Sequence, residues 1–418
     1  MKVVLAAHGT RGDVEPSATV GLELQRRGHE VRMAVPPNLV GFVESVGLAA
    51  VGYGPNSDEQ VIAVADFVHR AFTPRNPVSV LRAARELFVE GWAAMSRTLM
   101  SVTDGTNLLV TGQTYHGVAA NIAEYQDIPC ATIHHVPIRV NGQLALPSIP
   151  ATTYMVRSTM RGVWRVYWLM TRAVDDAQRR DLGLSKAGAP AAIRMTERGS
   201  LEIQAYDEVC FPHLAGEWNG RRPFVGALTM QAPTCSDAEV ASWIEAGTPP
   251  VYFGFGSTPI RSHDDTIAII AMACAELGVR GLIYTGPSGP VGISPSEYVK
   301  LVGPLNYATV FPRCRAVVHH GGAGTTAACL RAGVPMVVLW DVADQPIWAA
   351  QVTRMGVGRG QRLSTITGKS LVAHLRHVLA PHYAIRAAEI ATRMTKPAES
   401  VTAAADLLER AARGKRSD

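Results

Sequence analysis

The sequence predicts an α/β protein built as two Rossmann-like domains, each with a parallel sheet, facing one another across a central cleft. Three observations carry this reading. Short apolar runs alternate with helical stretches, the pattern of parallel sheets covered by helices. The alternation breaks once, over a segment rich in Pro and Gly, and then restarts. The length, 418 residues, suits two domains, and a hydrophobic content of 47% supplies a core for each.

The elements follow in order. Residues 3–7 read as a first strand, followed by a polar loop and an amphipathic stretch over 13–27. Strands are expected at 30–35, closed by Pro36-Pro37, and at 48–52. Two more, 107–111 and 130–133, flank a helix over 115–126, and 201–205 and 208–211 extend the set. The stretch 212–233 has no sustained periodicity and reads as a linker. In the second half, strands are expected at 251–253, 281–284, 298–301, 316–318 and 335–339. The partition is therefore a first domain over 1–214, a linker over 215–235 and a second domain over 236–418, whose last helix is free to cross back. Ligands of such sheets bind at the carboxyl ends of strands. Two facing sheets can share one site there.

Composition excludes several classes. Net charge is +5, but no dense Lys/Arg run occurs outside 414–416, so nucleic acid is not an expected partner. The six cysteines form no Cys-x-x-Cys pair, which argues against a zinc site or a disulfide framework. Free thiols and the absence of a signal-peptide core or a run of roughly 20 apolar residues lead to an expected cytoplasmic location. The segment 154–174 stands out. Arg157, Arg161 and Arg165 are four apart and share a helical face, while Val163, Val166, Met170 and Val174 form an apolar one. It reads either as a surface helix packed on a core or as an interfacial helix. The second reading makes a peripheral contact with the inner face of the membrane, or with a lipidic ligand.

The loop after the first strand is His8-Gly-Thr-Arg-Gly-Asp-Val-Glu-Pro16. It lacks the G-x-G-x-x-G of a dinucleotide site, and the second strand ends in prolines instead of an acid. Asp13 can be a helix N-cap. It can also accept a proton from a hydroxyl that attacks in the cleft. A free aspartate is a weak base, of pKa about 3.9, but desolvation raises it. His8 competes for the role, since imidazole titrates nearer neutrality.

The second loop is more informative. A strand ends at Val318, and His319-His-Gly-Gly-Ala-Gly-Thr-Thr326 then turns tightly into a helix. Gly321, Gly322 and Gly324 expose backbone N–H groups to an anion, reinforced by the helix end, and His319, His320 and Thr325 add side-chain donors. A diphosphate leaving group needs such stabilisation as charge develops. The lysine of a P-loop is missing. So is an Asp-x-Asp pair, so no metal and no cofactor is required.

Residues 319–335 with Asp344-Gln345 resemble the donor-site signature of nucleotide-sugar glycosyltransferases of the GT-B fold. The likeness is to the bacterial branch acting on antibiotic aglycones, glycolipids and glycopeptidolipids, and to sterol glucosyltransferases. The motifs at 9–16 and 251–257 match the same branch in the same order. The resemblance implies an inverting transfer from a UDP- or dTDP-sugar to a lipophilic alcohol, with Asp13 as general base. It implies donor contacts from Arg11, Ser257, His319, Gly321, Gly322, Gly324 and Thr325 to the phosphates, and from Asp344 and Gln345 to the sugar. Thr10, His134 and His135 are weaker candidates for the acceptor. Ala327 stands where many members carry a ribose-binding glutamate. A nucleotide-sugar epimerase of the same fold and a non-catalytic sugar-nucleotide or lipid-binding protein are the alternatives.

Overall fold

The computed structural model describes residues 1–71, 82, 83, 85, 86, 89–144, 152–230, 233–256, 263–286 and 298–414. Among them, β1 (Lys2–Ala6), β2 (Glu30–Val35), β3 (Ala49–Gly52), β4 (Leu108–Thr111), β5 (Cys130–His134) and β6 (Leu201–Gln204) form one sheet, in the order β3-β2-β1-β4-β5-β6. A second holds β7 (Val251–Gly254), β8 (Gly281–Tyr284), β9 (Val299–Val302), β10 (Ala316–His319), β11 (Met336–Trp340) and β12 (Gly358–Arg362), ordered β12-β11-β10-β7-β8-β9. Every strand pair is parallel: Leu5 lies beside Met33 and Val110, and Val318 beside Phe253 and Val337. The strand order reverses between β1 and β4 and again between β7 and β10, which opens a crevice at those strand ends in each domain.

The central strands are apolar throughout because both faces are covered. Val3 and Leu5 pack with Val14, Leu24 and Leu408, while Val4, one residue out of phase, packs with Trp92, Leu99 and Val118. The final helix, Pro397–Arg413, returns to the first sheet, burying Ala404, Ala405 and Leu408 there. Arg27 reaches Asp406 at 2.6 Å and His29 reaches Glu409 at 2.7 Å beside it. No described helix is long and apolar enough to cross a membrane.

The chain passes between the domains at residues 227–229 and again at 395–400, and two side chains tie these passages together. Asp207 accepts from the Thr395 N–H (2.6 Å) and the Ala227 N–H (3.3 Å). Arg331 donates to the Thr395 carbonyl (2.9 Å), the Ala227 carbonyl (2.7 Å), the Thr229 hydroxyl (2.8 Å) and the Ser400 hydroxyl (3.1 Å).

Three local expectations change. Residues 208–211 are not a strand; Glu208–Cys210 is a short 3-10 turn that delivers Cys210 and Phe211 to the second core. Within the expected linker, the described residues 212–230 are packed: Leu214 and Trp218 are buried, Trp218 stacks on Phe224, and Val225 and Leu228 join the first core. β12 was not legible, because Gly-Arg-Gly-Gln-Arg carries no apolar residue. Its glycines answer to packing, since a Cβ on Gly358 would overlap the Met336 carbonyl.

Candidate active site

The first wall grows from the end of β1. Thr10 is the N-cap of the helix Arg11–Arg26, so Asp13 sits at the third helical position and is not itself the cap. The Asp13 Oδ2 accepts from the Thr10 N–H (2.9 Å) and hydroxyl (3.3 Å), as the acid of a capping box does. Gly9 is at φ +138°, and any Cβ there would collide with the Asp13 carboxyl. Thr10, expected to touch the acceptor, therefore holds Asp13 in place.

Burial pushes the Asp13 carboxyl up to about 7, the charge of Asp344 adds to the rise, and the Thr10 contacts oppose it. Asp13 keeps some exposure, as a residue sunk into a cleft wall does. His8 fares differently. Its Nε2 faces the Pro55 carbonyl at 3.2 Å, its ring meets Tyr115 edge-on, and burial lowers its pKa to about 4. It is a neutral structural donor and a poor base near neutrality.

Of the two histidines at the end of β5, only one reaches this wall. His134 is wholly buried in the sheet, its Nδ1 3.4 Å from Gln204 Nε2. His135 lies against the main-chain carbonyl of Asp13; burial brings it to about 4, with that carbonyl opposing. The Gln113 side-chain carbonyl accepts from the His135 N–H at 3.4 Å. Behind this wall stand Tyr53, Trp92, Tyr115, His116, Trp164 and Tyr167, with Trp164 edge-on to both His116 and Tyr167. The Tyr53 hydroxyl and the Trp168 indole N–H are buried without a protein partner among the described residues. No spacing in the sequence joins these aromatics, which arrive from four separate segments.

The second wall is the glycine loop between β10 and the helix Ala323–Ala332. Gly321 is at φ +94°, where a side chain would strike Val338. Gly322 is the N-cap and has no side chain to satisfy the first-turn N–H groups. Those groups open onto Gly324, which is exposed with free space above it, and Thr325, half-buried.

His319, expected at the donor phosphates, lies inside the second domain. It is 0% exposed, its Nδ1 accepts from the Gly321 N–H (3.1 Å), and its Nε2 is 3.5 Å from Met336 Sδ. With both nitrogens engaged inside the domain, it braces the loop. His320 lies on the surface side, its ring against Gly256 and Gly322. Burial lowers it to about 4, opposed by the nearby Gly254 carbonyl, so it too is neutral at pH 7. Ser257 falls outside the described residues. Arg11 is exposed, 3.0 Å from Glu15 and over the Phe42 ring, and its charge reaches Tyr284 at the end of β8, which places it on the cleft rim.

Asp344 is the N-cap of the helix Gln345–Arg354 but makes no capping hydrogen bond with its side chain. Its backbone is set by Ala343 at φ +60°, a strained conformation for a residue with a Cβ. Burial raises the Asp344 pKa to about 6. The Trp348 indole N–H lies close by but outside hydrogen-bond geometry. Gln345 is buried, and its side-chain carbonyl accepts from the Asp341 N–H (2.8 Å) and the Val342 N–H (3.3 Å). Only its amide nitrogen is left for a ligand. Asp13 and Asp344 are 331 positions apart and stand at the starts of helices in different domains, and the charge of Asp344 adds to the rise at Asp13.

The chain matches the Glycosyltransferase family 28 N-terminal domain over residues 3–105 and the Erythromycin biosynthesis protein CIII-like C-terminal domain over 291–407. A protein of Mycobacterium tuberculosis named an uncharacterized glycosyltransferase is 59% identical, over 99% of this chain and 99% of its own. A sterol 3-beta-glucosyltransferase of Arabidopsis thaliana is 27% identical, over 98% of this chain and 68% of its own. Among solved structures, the calicheamicin glycosyltransferase CalG4 superposes with a TM-score of 0.70 at 18% identity, over 100% of this chain and 99% of that one. The glycosyltransferase VinC, solved with dTDP, superposes at 0.67 and 16% identity, over 99% and 100%. Facing parallel sheets of one strand order, a glycine loop at the second switch point and kinship along the whole chain converge on one assignment: the protein belongs to the glycosyltransferases of the GT-B fold and is a transferase enzyme.

Proposed function

We propose that the enzyme moves a hexose or deoxyhexose from a UDP- or dTDP-sugar to a hydroxyl of a lipophilic small molecule, glycolipid or natural-product aglycone, with inversion. Asp13 is the general base. The observation that carries this is the Asp13 carboxyl, held by Thr10, raised to about 7 and facing Asp344 of the other domain. A base poised near the working pH combines ionisation with a useful affinity for the proton.

In this reading the diphosphate rests on the first-turn N–H groups of Ala323, Gly324 and Thr325, with His320 alongside. Asp344 and the Gln345 amide nitrogen bind sugar hydroxyls. The acceptor enters from the aromatic side. Its oxygen attacks the anomeric carbon as the bond to the diphosphate oxygen breaks; the proton passes to Asp13 and the bonding pair leaves with the diphosphate. The glycine loop stabilises the charge that appears there. Dinucleotide-free loops on both domains and a titratable acid between them also support transfer over redox chemistry.

Asp13→Asn tests the assignment. Transfer should fall by roughly two or more orders of magnitude, the usual size of a general-base contribution, while UDP or dTDP still stabilises the variant in a thermal shift. Near-normal transfer would remove Asp13 from the mechanism. Incubation with nucleotide sugar alone should yield no epimer; an epimer would establish the alternative activity.

A further inference from the structure

The long helix Thr153–Asp181 has two unlike faces. Trp164, Tyr167 and Trp168 turn inward, Trp164 donating to the Ile138 carbonyl at 2.8 Å and meeting His116 edge-on. The outward face carries Met155, Val166 and Leu169, which fall with Gly162 and Ala173 on one helical stripe, and Val163 beside it. These side chains are bare: Met155 is 52% exposed, Val163 62%, Val166 46% and Leu169 57%. Arg161, Arg165 and Arg172 run in a row along the same helix with the exposed Tyr154. Arg161 and Arg165 have no ion-pair partner among the described residues, and Arg172 approaches Asp176 at 3.6 Å and lies over the Trp168 ring at 5.2 Å. Residues 153–174 contain no acid at all. This sharpens the expectation from sequence. Arg157 is committed to Glu217 at 2.7 Å, and Met170 and Val174 are half-buried, so neither belongs to the free surface.

We infer that this face docks on an anionic phospholipid bilayer, with the aliphatic stripe in the headgroup–acyl boundary and the arginine row on the phosphates. Charge selects this occupant. A second copy of the chain would set arginines against arginines. The stripe from Met155 to Leu169 is about 20 Å long by helix rise. It is convex and aliphatic, which suits insertion into lipid. The inward face of the helix borders the aromatic chamber behind Gln113 and His135, so docking would bring the membrane beside the acceptor side of the cleft. Docking stands independently of sugar transfer.

Vesicle co-sedimentation of the full chain tests it. The protein should pellet with phosphatidylcholine–phosphatidylglycerol vesicles and stay in solution with phosphatidylcholine alone. Removing each of Arg161 and Arg165 as Arg→Gln should weaken binding roughly fivefold, and Leu169→Asp should abolish it. Arg376→Gln, an exposed change on the other domain, should leave it unaltered. All these side chains are exposed, and thermal melting with and without UDP or dTDP shows separately that each variant is folded and binds nucleotide. Equal pelleting with neutral vesicles, or full binding by the double arginine variant, would overturn the inference. So would light scattering showing that Leu169→Asp converts a dimer to a monomer, since a second copy would then cover the stripe.

Discussion

Asp13 and His8 leave the same strand end five residues apart and meet opposite fates. In each case burial penalises the charged form. For the carboxylate this raises basicity to about 7; for the imidazole it lowers it to about 4. The poorer base in water is the better base here. The sign of the pH dependence follows: kcat/KM should rise with pH and level off above about 7, and the acid limb should vanish in Asp13→Asn. A profile flat through that range would exclude Asp13 as the titrating group. Stability runs the other way. A carboxyl whose folded pKa lies above its unfolded value favours the fold at low pH and loses that advantage as pH rises toward 7. Asp13→Asn should therefore gain in Tm relative to the wild type between pH 5 and pH 8, which differential scanning at the two pH values measures.

At the scale of the element, the glycine loop divides its labour between adjacent histidines. His319 ends β10 pointing into the domain, and His320, one residue on, points out, because side chains alternate along a strand. His319→Ala should remove the acceptor of the Gly321 N–H and cost about 1–3 kcal/mol in urea unfolding, the usual penalty for a buried unpaired donor. His320→Ala should leave stability near that of the wild type and weaken UDP or dTDP binding roughly tenfold in calorimetry, the scale of one hydrogen bond to a charged group. The reverse pattern would restore the assignment of the phosphate contact to His319.

Across the whole molecule, the helix Ala323–Ala332 begins at the glycine loop and ends on the two passages between domains, through Arg331. The proposed donor loop and the interdomain passages thus lie at opposite ends of one helix. Arg331 is half-buried, and its removal would strand two carbonyls and two hydroxyls at the passages. Arg331→Met should cost about 1–3 kcal/mol, the range for leaving buried hydrogen-bonding groups unpaired. It should also broaden the interdomain distances seen by small-angle scattering, while Arg331→Lys recovers only part, lacking the planar fork. Unchanged scattering and stability would leave the hinge to Asp207 and the backbone alone.

The sequence by itself determined the architecture. Eleven of the twelve expected strands fall where β1 to β11 lie, the exception being 208–211, because a strand covered on both faces must be an apolar run and a parallel connection must include a crossover. It marked the two loops as well, through glycines that a tight turn demands. What it could not decide was direction and company. The edge strand β12 is made of glycine, arginine and glutamine and is held by packing that no pattern records. Which of His319 and His320 faces the cleft depends on the residue where β10 stops. The raised pKa of Asp13 comes from its burial, to which the charge of Asp344 from the other domain adds, and the aromatic cluster needs four distant segments. Local sequence specifies local geometry; burial and charge proximity are properties of residues that only folding brings together.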